Sequence, residues 1–242
     1  MDLTFCSLSS GSSGNCYYVG NGFHGILIDA GISATSIRKF LRNMMIPMDT
    51  IMGVLVTHNH SDHIKGLEVL LRKNYLPAFT TREVWESILS PHCHISTDCI
   101  REIPLMEKFH LAGFDIEAFP VCHDSPATLG FHICAGDRKI TIATDLGHIC
   151  QISAPYIKAA NLLVIESNYD EQMLKAGGYP PFLKARISSD HGHLGNHQTS
   201  LFLADILNEN LTHICLAHLS LNNNTPEKAL RSEEHTSELQ SR

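Results

Sequence analysis

Nowhere in the 242 residues does an apolar run approach eighteen positions, so the sequence carries no helical membrane span. The opening, Met1-Asp2-Leu3-Thr4, lacks the basic region and long apolar core of an export signal, which points to the cytoplasm. None of the eight cysteines forms a Cys-x-x-Cys pair, which argues against a zinc ribbon. Several sit in apolar, strand-like runs and read as reduced core thiols. Positive charge is scarce: 18 Lys and Arg stand against 25 Asp and Glu, a formal net charge of −7. A broad basic face for nucleic acid is therefore not expected, although a phosphate-bearing substrate is not excluded.

What is present is an ordinary globular composition, 43% hydrophobic and 18% charged, long enough for one large domain or two small ones. The sixteen histidines are many for this length. The stretch that organises the rest is Val54-Leu55-Val56-Thr57-His58-Asn59-His60-Ser61-Asp62-His63. Its apolar, β-branched start predicts a buried strand, and its polar end predicts the loop where that strand stops. In an extended chain His58 and His60 point the same way. Asp62 and His63 follow as the backbone enters a helix predicted over 64–74, near a helix N-terminus that favours a carboxylate. Imidazole and carboxylate are ligands for zinc, iron and manganese. The spacing suits two metals side by side, His58 and His60 on one, Asp62 and His63 on the other.

Other strands end in the same manner. Phe109 to Val121 predicts a hairpin turning at Ala112-Gly113 and ends before Cys122-His123. Lys139 to Ala143 leads to Thr144-Asp145, and His213 to Ala217 leads to His218. Ligands gathered at one edge of a sheet are a common way for α/β proteins to build sites. Near the start, Ser9-Ser10-Gly11-Ser12-Ser13-Gly14-Asn15 separates two short strands. Such a loop is a turn or link, or its N–H groups and hydroxyls cradle an anion. Ser33 is placed to cap a helix burying Ile37, Phe40, Leu41 and Met44. Pro91-His92-Cys93-His94 has metal-ligand residue types but no fourth partner nearby, and reads as a surface turn.

Thr57-His58-Asn59-His60-Ser61-Asp62-His63, with His123, Asp145 and His218 following in order, resembles the metallo-β-lactamase superfamily. The resemblance implies an α/β fold, the αβ/βα four-layer sandwich, with two divalent ions (Zn, Mn or Fe). By that pattern His58, His60 and His123 bind one ion, Asp62, His63 and His218 the other, and Asp145 bridges them. Ser10 to Asn15, Asp29-Ala30-Gly31, Thr144 to Gly147, Glu166 to Asp170, Gly192-His193-Leu194 and Leu216 to Ser220 look like the WalJ/YycJ branch. That likeness implies a cytoplasmic, metal-dependent 5′→3′ DNA exonuclease whose substrate is DNA with a 5′ end; from the sequence itself no membrane and no obligate protein partner are expected.

On this view a hydroxide bridging the ions attacks phosphorus, Asp62 orients it as a catalytic residue, and His193 protonates the leaving oxygen. Ser10, Ser12, Ser13 and Asn15 would bind a terminal phosphate. Thr57 and Asp29 are candidates to orient the imidazoles. Two departures from the branch bear on substrate contacts: Gly195 stands where a serine is usual, and Asn222 where an acidic residue is usual. The same ligand set would also serve a small-molecule hydrolase of thioesters, lactones or cyclic phosphodiesters, and a non-catalytic metal-binding regulator is the reading from another class.

Residues 1–230 are expected to form the hydrolase domain, cut short at its C-terminus as a helix begins at Pro226. Residues 231–242 are polar throughout, without a helical stripe. Residues 231–240 match in frame the translation of a common sequencing adapter, so this tail is read as non-native and disordered.

Overall fold

The computed structural model describes residues 3–89 and 93–231. Most of the 231–242 tail, and the start of the Pro91-His92-Cys93-His94 segment, fall outside the described residues. The chain divides into two compact units: Met1–Phe119 with Ser125–Arg138, and Pro120–Asp124 with Lys139–Arg242.

In the first unit, strands β1 (Thr4–Ser9), β2 (Cys16–Gly20), β3 (Gly25–Ile28), β4 (Ile51–Leu55), β5 (Ala78–Thr80) and β6 (Ile100–Glu102) lie side by side in chain order. The first three pair antiparallel, and β3 to β6 pair parallel. Parallel strands need helical crossovers. These are α1 (Ala34–Asn43), the short α2 (Ser61–Ile64) with α3 (Leu67–Asn74), and α4 (Arg82–Ile88). Ile51, Val54, Leu55 and Val56 are all buried, as expected of a parallel strand covered on both faces. β7 (Lys108–Leu111), β8 (Phe114–Pro120) and β9 (Leu129–Ala135) are neighbours in that order. Ala112 and Gly113, with φ of 57° and 84°, make the two-residue turn expected between β7 and β8.

Two expectations for this unit need correction. The helix predicted over 64–74 is two helices. It starts at Ser61, which places Asp62 and His63 inside the first turn, and it breaks at Gly66. A Cβ on Gly66 would lie 2.1 Å from the Ile32 carbonyl oxygen, and its N–H bonds to the Ala30 carbonyl. Close approach of another backbone, not local propensity, ends α2. In α1, Ser33 caps as expected and Ile37 and Leu41 are buried, but Phe40 is 42% exposed. The buried stripe is narrower than the four-residue face drawn from spacing.

The second unit holds β10 (Arg138–Ala143), β11 (Leu162–Glu166) and β12 (His213–Ala217), all parallel, with β11 central. α5 (Ser153–Lys158) connects the first pair. α6 (Glu171–Ala176), α7 (Pro181–Ile187) and α8 (Asn196–Ile206) precede β12. α8 begins at Asn196, where Gln198 reaches back to accept from the Gly195 N–H. Residues 226–231 are helical, as expected from Pro226 onward. No disulfide occurs among the described residues. No helix among them is long and apolar enough to cross a membrane.

Candidate metal centre

In the first unit the site grows from the ends of β3 and β4. Just past β3, Asp29 adopts a left-handed backbone (φ 60°) and is fully buried. Its Oδ1 accepts from the Thr57 N–H at 2.8 Å, and its Oδ2 accepts from the Thr57 hydroxyl at 2.9 Å and from His63 Nδ1 at 2.7 Å. The Thr57 oxygen also faces His58 Nδ1 at 2.9 Å. Both candidate orienting residues thus touch the imidazoles they were expected to hold. Burial pushes the Asp29 carboxyl up, and the opposing pull of His63 and Thr57 does not cancel it. The His58 ring centroid lies 4.6 Å from that of His60 and 4.1 Å from that of His63. Asp62 Oδ2 lies 3.7 Å from His63 Nε2. The four ligands expected from this stretch converge.

Three backbone segments meet behind them. The Asn15 N–H donates to the Asp62 carbonyl at 2.7 Å, the Gly31 N–H to the Asn15 carbonyl at 2.8 Å, and the Ala30 N–H to the His63 carbonyl at 2.8 Å. A Cβ on Gly31 would sit 1.6 Å from the Asp62 oxygen, so only glycine fits.

Asn15 departs from its expected role. It has no exposed surface; its Oδ1 accepts from the Gly11 N–H at 2.9 Å and its Nδ2 lies 2.9 Å from His63 Nε2. A side chain so enclosed ties the Ser/Gly loop to the metal ligands and offers no surface to a terminal phosphate. Ser10, Ser12 and Ser13 are exposed, and Ser10 Oγ lies 3.0 Å from the Tyr17 hydroxyl.

In the second unit the side chains come from the segment just after β8, from the ends of β10, β11 and β12, and from the loop before α8. His123 Nδ1 donates to the Gly192 carbonyl at 2.9 Å, and its Nε2 lies 3.9 Å from Asp145 Oδ1. Asp145 Oδ1 lies 3.5 Å from His218 Nδ1. Asp145 (φ 58°) and His218 (φ 54°) repeat the left-handed turn of Asp29 just beyond a strand. The three ligands expected here are together.

Glu166 is the residue that reasoning from sequence missed. It is fully buried, and its Oε1 accepts from His193 Nδ1 and His218 Nδ1, both at 2.7 Å. Its Oε2 accepts from the N–H groups of Leu146 at 2.9 Å and Leu194 at 3.3 Å. Four donors fill the roughly four lone-pair positions of a carboxylate. Ligating atoms of Asp145, Glu166, His193 and His218 lie within 4.8 Å of one another, but Glu166 is committed to holding imidazoles. Burial alone would raise its carboxyl, yet the charges and hydrogen bonds of His193 and His218 bring it below its ordinary value. Burial likewise opposes charge on His193, and the Glu166 carboxylate overcomes it, so His193 keeps its proton to higher pH than usual. The signal was available: β11 ends in a carboxylate just as other strands end in His or Asp.

The donors suit divalent cations. His58, His63, His123 and His218 each spend Nδ1 on a protein partner: Thr57, Asp29, the Gly192 carbonyl and Glu166 respectively. That is how ligating histidines are held when Nε2 faces a metal.

The Beta-lactamase superfamily domain model matches residues 24–214. The chain is 38% identical to Exodeoxyribonuclease YycJ of Bacillus anthracis over 232 residues, covering 96% of this chain and 88% of that one. It is 34% identical to Exodeoxyribonuclease WalJ of Streptococcus pneumoniae, covering 92% and 83%. Its fold is that of the metallo-β-lactamase fold protein YhfI from Bacillus subtilis (TM-score 0.73, 17% identity, 97% and 92% coverage). The chain belongs to the β-lactamase superfamily, on the branch that holds the YycJ and WalJ proteins. It is an α/β protein and a metal-dependent hydrolase.

Proposed function

We propose that this hydrolase is a cytoplasmic exonuclease that degrades DNA from a 5′ end. The observation that carries the reading is the set of imidazoles in which His58, His63 and His218 are held through Nδ1 by buried partners, in a chain 38% identical across nearly its whole length to a protein called an exodeoxyribonuclease. His58, His60, Asp62, His63, His123, Asp145 and His218 would hold two divalent ions, zinc, manganese or iron by donor chemistry. Such ions, when bound, supply Lewis acidity toward phosphoryl oxygens and a lowered pKa for water.

The chain's own groups do the rest. Asp62, with its side chain 23% exposed, would orient an attacking water as well as bind metal. His193, also partly exposed, donates a proton to the leaving oxygen while Glu166 holds its ring through Nδ1. The exposed Ser10, Ser12 and Ser13 bind the terminal phosphate that selects an end. Asn15 positions that loop from behind.

The test is hydrolysis of 5′-phosphorylated single- and double-stranded DNA, labelled at the 5′ end, with Mn²⁺ or Zn²⁺. Release of labelled mononucleotide by the protein, and its loss in His60→Ala, is the expected result. A folded, metal-loaded protein that leaves both DNAs intact overturns the reading and moves the substrate to a small phosphodiester or acyl compound.

A further inference from the structure

Beside His193, within the second unit, lies a cavity of about 180 Å³ that the chemistry above leaves unused. Tyr179, Leu183, Ile187, Arg186, Asp124 and His193 line it. Pockets for drug-sized ligands run from about 300 Å³ upward, so this one suits a single ring or one small group. Its walls differ in chemistry. Leu183 and Ile187, on α7, supply an aliphatic floor. The Tyr179 ring is fixed by a hydrogen bond from Asn222 Nδ2 to its hydroxyl, at 2.8 Å. Arg186, 58% exposed, gives its Nε to the Asp124 carboxylate and keeps its guanidinium at the cavity wall.

The cavity is preformed. The His193 N–H bonds to the Ile187 carbonyl and the Gly192 N–H to the Ser189 carbonyl, both at 2.8 Å. A Cβ on Gly192 would lie 2.2 Å from the carbonyl oxygens of Arg186 and Ile187, so the His193 loop presses directly on the end of α7. In a chain of net charge −7, residues 171–187 carry Lys175, Lys184 and Arg186 against Glu171 alone. Phe182, next to the cavity in sequence, is 74% exposed. A fixed aromatic face with cations along it is how proteins bind single-stranded nucleic acid without reading its sequence.

We propose that this cavity seats one base of a single-stranded end against Tyr179, with a neighbouring phosphate outside it on Arg186. The inference rests on the nuclease reading and adds to it the place where the strand is gripped. Tyr179 and Arg186 are binding residues, not part of the hydrolytic set. Asn222, one of the two departures from the branch pattern, acts here through Tyr179 by setting the angle of its ring.

The experiment measures binding of 3′-fluorescein phosphorothioate strands, which resist cleavage, to the Mn²⁺-loaded protein by anisotropy. A 5′-phosphorylated oligothymidylate is compared with the same strand made abasic. Tyr179→Ala is expected to weaken thymidylate binding about tenfold and to leave abasic binding unchanged. Tyr179→Phe, which keeps the ring, retains most of the affinity and controls for folding. Arg186→Gln weakens both strands alike and lowers the salt slope by about one.

Equal losses on the two strands in Tyr179→Ala, no loss at all, or no binding by the parent protein each overturns the proposal. Base-dependent binding without cleavage of ordinary DNA keeps the seat and refutes the exonuclease. Cleavage that is indifferent to Tyr179→Ala, with binding also indifferent, keeps the exonuclease and refutes the seat.

Discussion

At the scale of single residues, the site depends on carboxylates that bind protein before they bind anything else. Asp29→Asn removes the charge that holds His63 Nδ1 and also faces Thr57. It is expected to lower metal affinity about tenfold to a hundredfold, measured by titration calorimetry, with little change in the circular dichroism spectrum. Glu166→Gln preserves shape but replaces an acceptor oxygen with an NH₂ group, which cannot accept from imidazole or backbone N–H. Unfolding of the metal-depleted variant in urea should show a loss of about 1–3 kcal/mol. Cys16 makes a different point. Burial, then the nearby Asp29 charge, pushes its thiol far above the ordinary value, and it has no exposed surface. Peptide mapping after iodoacetamide treatment at pH 8 should find Cys16 unmodified in the folded protein and modified after denaturation.

Among secondary-structure elements, the strand ends carry the site, and this is why so much of it was legible. An apolar run that stops at His58, Asp145 or His218 is visible to anyone reading hydrophobic pattern. Glu166 obeys the same rule, but nothing in its composition says that its four acceptor positions are taken by donors from other segments. The short helices α5, α6 and α7 were not legible, since six or seven residues give too few turns for a 3.6-residue period to emerge. The break between α2 and α3 was hidden for another reason: Gly66 yields there to a carbonyl more than thirty positions away in sequence. Gly31→Ala tests such contacts, because its new Cβ meets the Asp62 carbonyl, a backbone atom that cannot swing aside. It should cost about 3 kcal/mol or more in chemical denaturation. Gly136→Ala, at φ 61° in open space, should cost only about 1 kcal/mol.

For the whole molecule, an acidic chain that acts on a polyanion must confine its attraction to local cations. The basic residues of 175–186 and any bound ions are two such sources. Metal removal is accordingly a global perturbation. If ions bind the folded chain alone, saturating Mn²⁺ or Zn²⁺ after dialysis against EDTA should raise the melting temperature by about 5–10 °C in a fluorescence melt, and renewed chelation should reverse it. Class and fold could be read from the ordered motifs because those motifs span most of the chain. The buried position of Asn15 could not, since a Ser/Gly loop looks the same whether its last residue faces solvent or a histidine ring.

The junction where Asn15, Gly31 and Asp62 share backbone bonds ties together parts of the chain far apart in sequence. Asn15 and Asp62 are 47 positions apart, and the strands β2, β3 and β4 that lie between them in sequence are paired side by side. Closing such loops is entropically costly until several long-range pairs reward it together. The aim of His63 thus hangs on a contact that is distant in sequence, and any change that loosens the pairing of β2, β3 and β4 reaches that ring through Asn15.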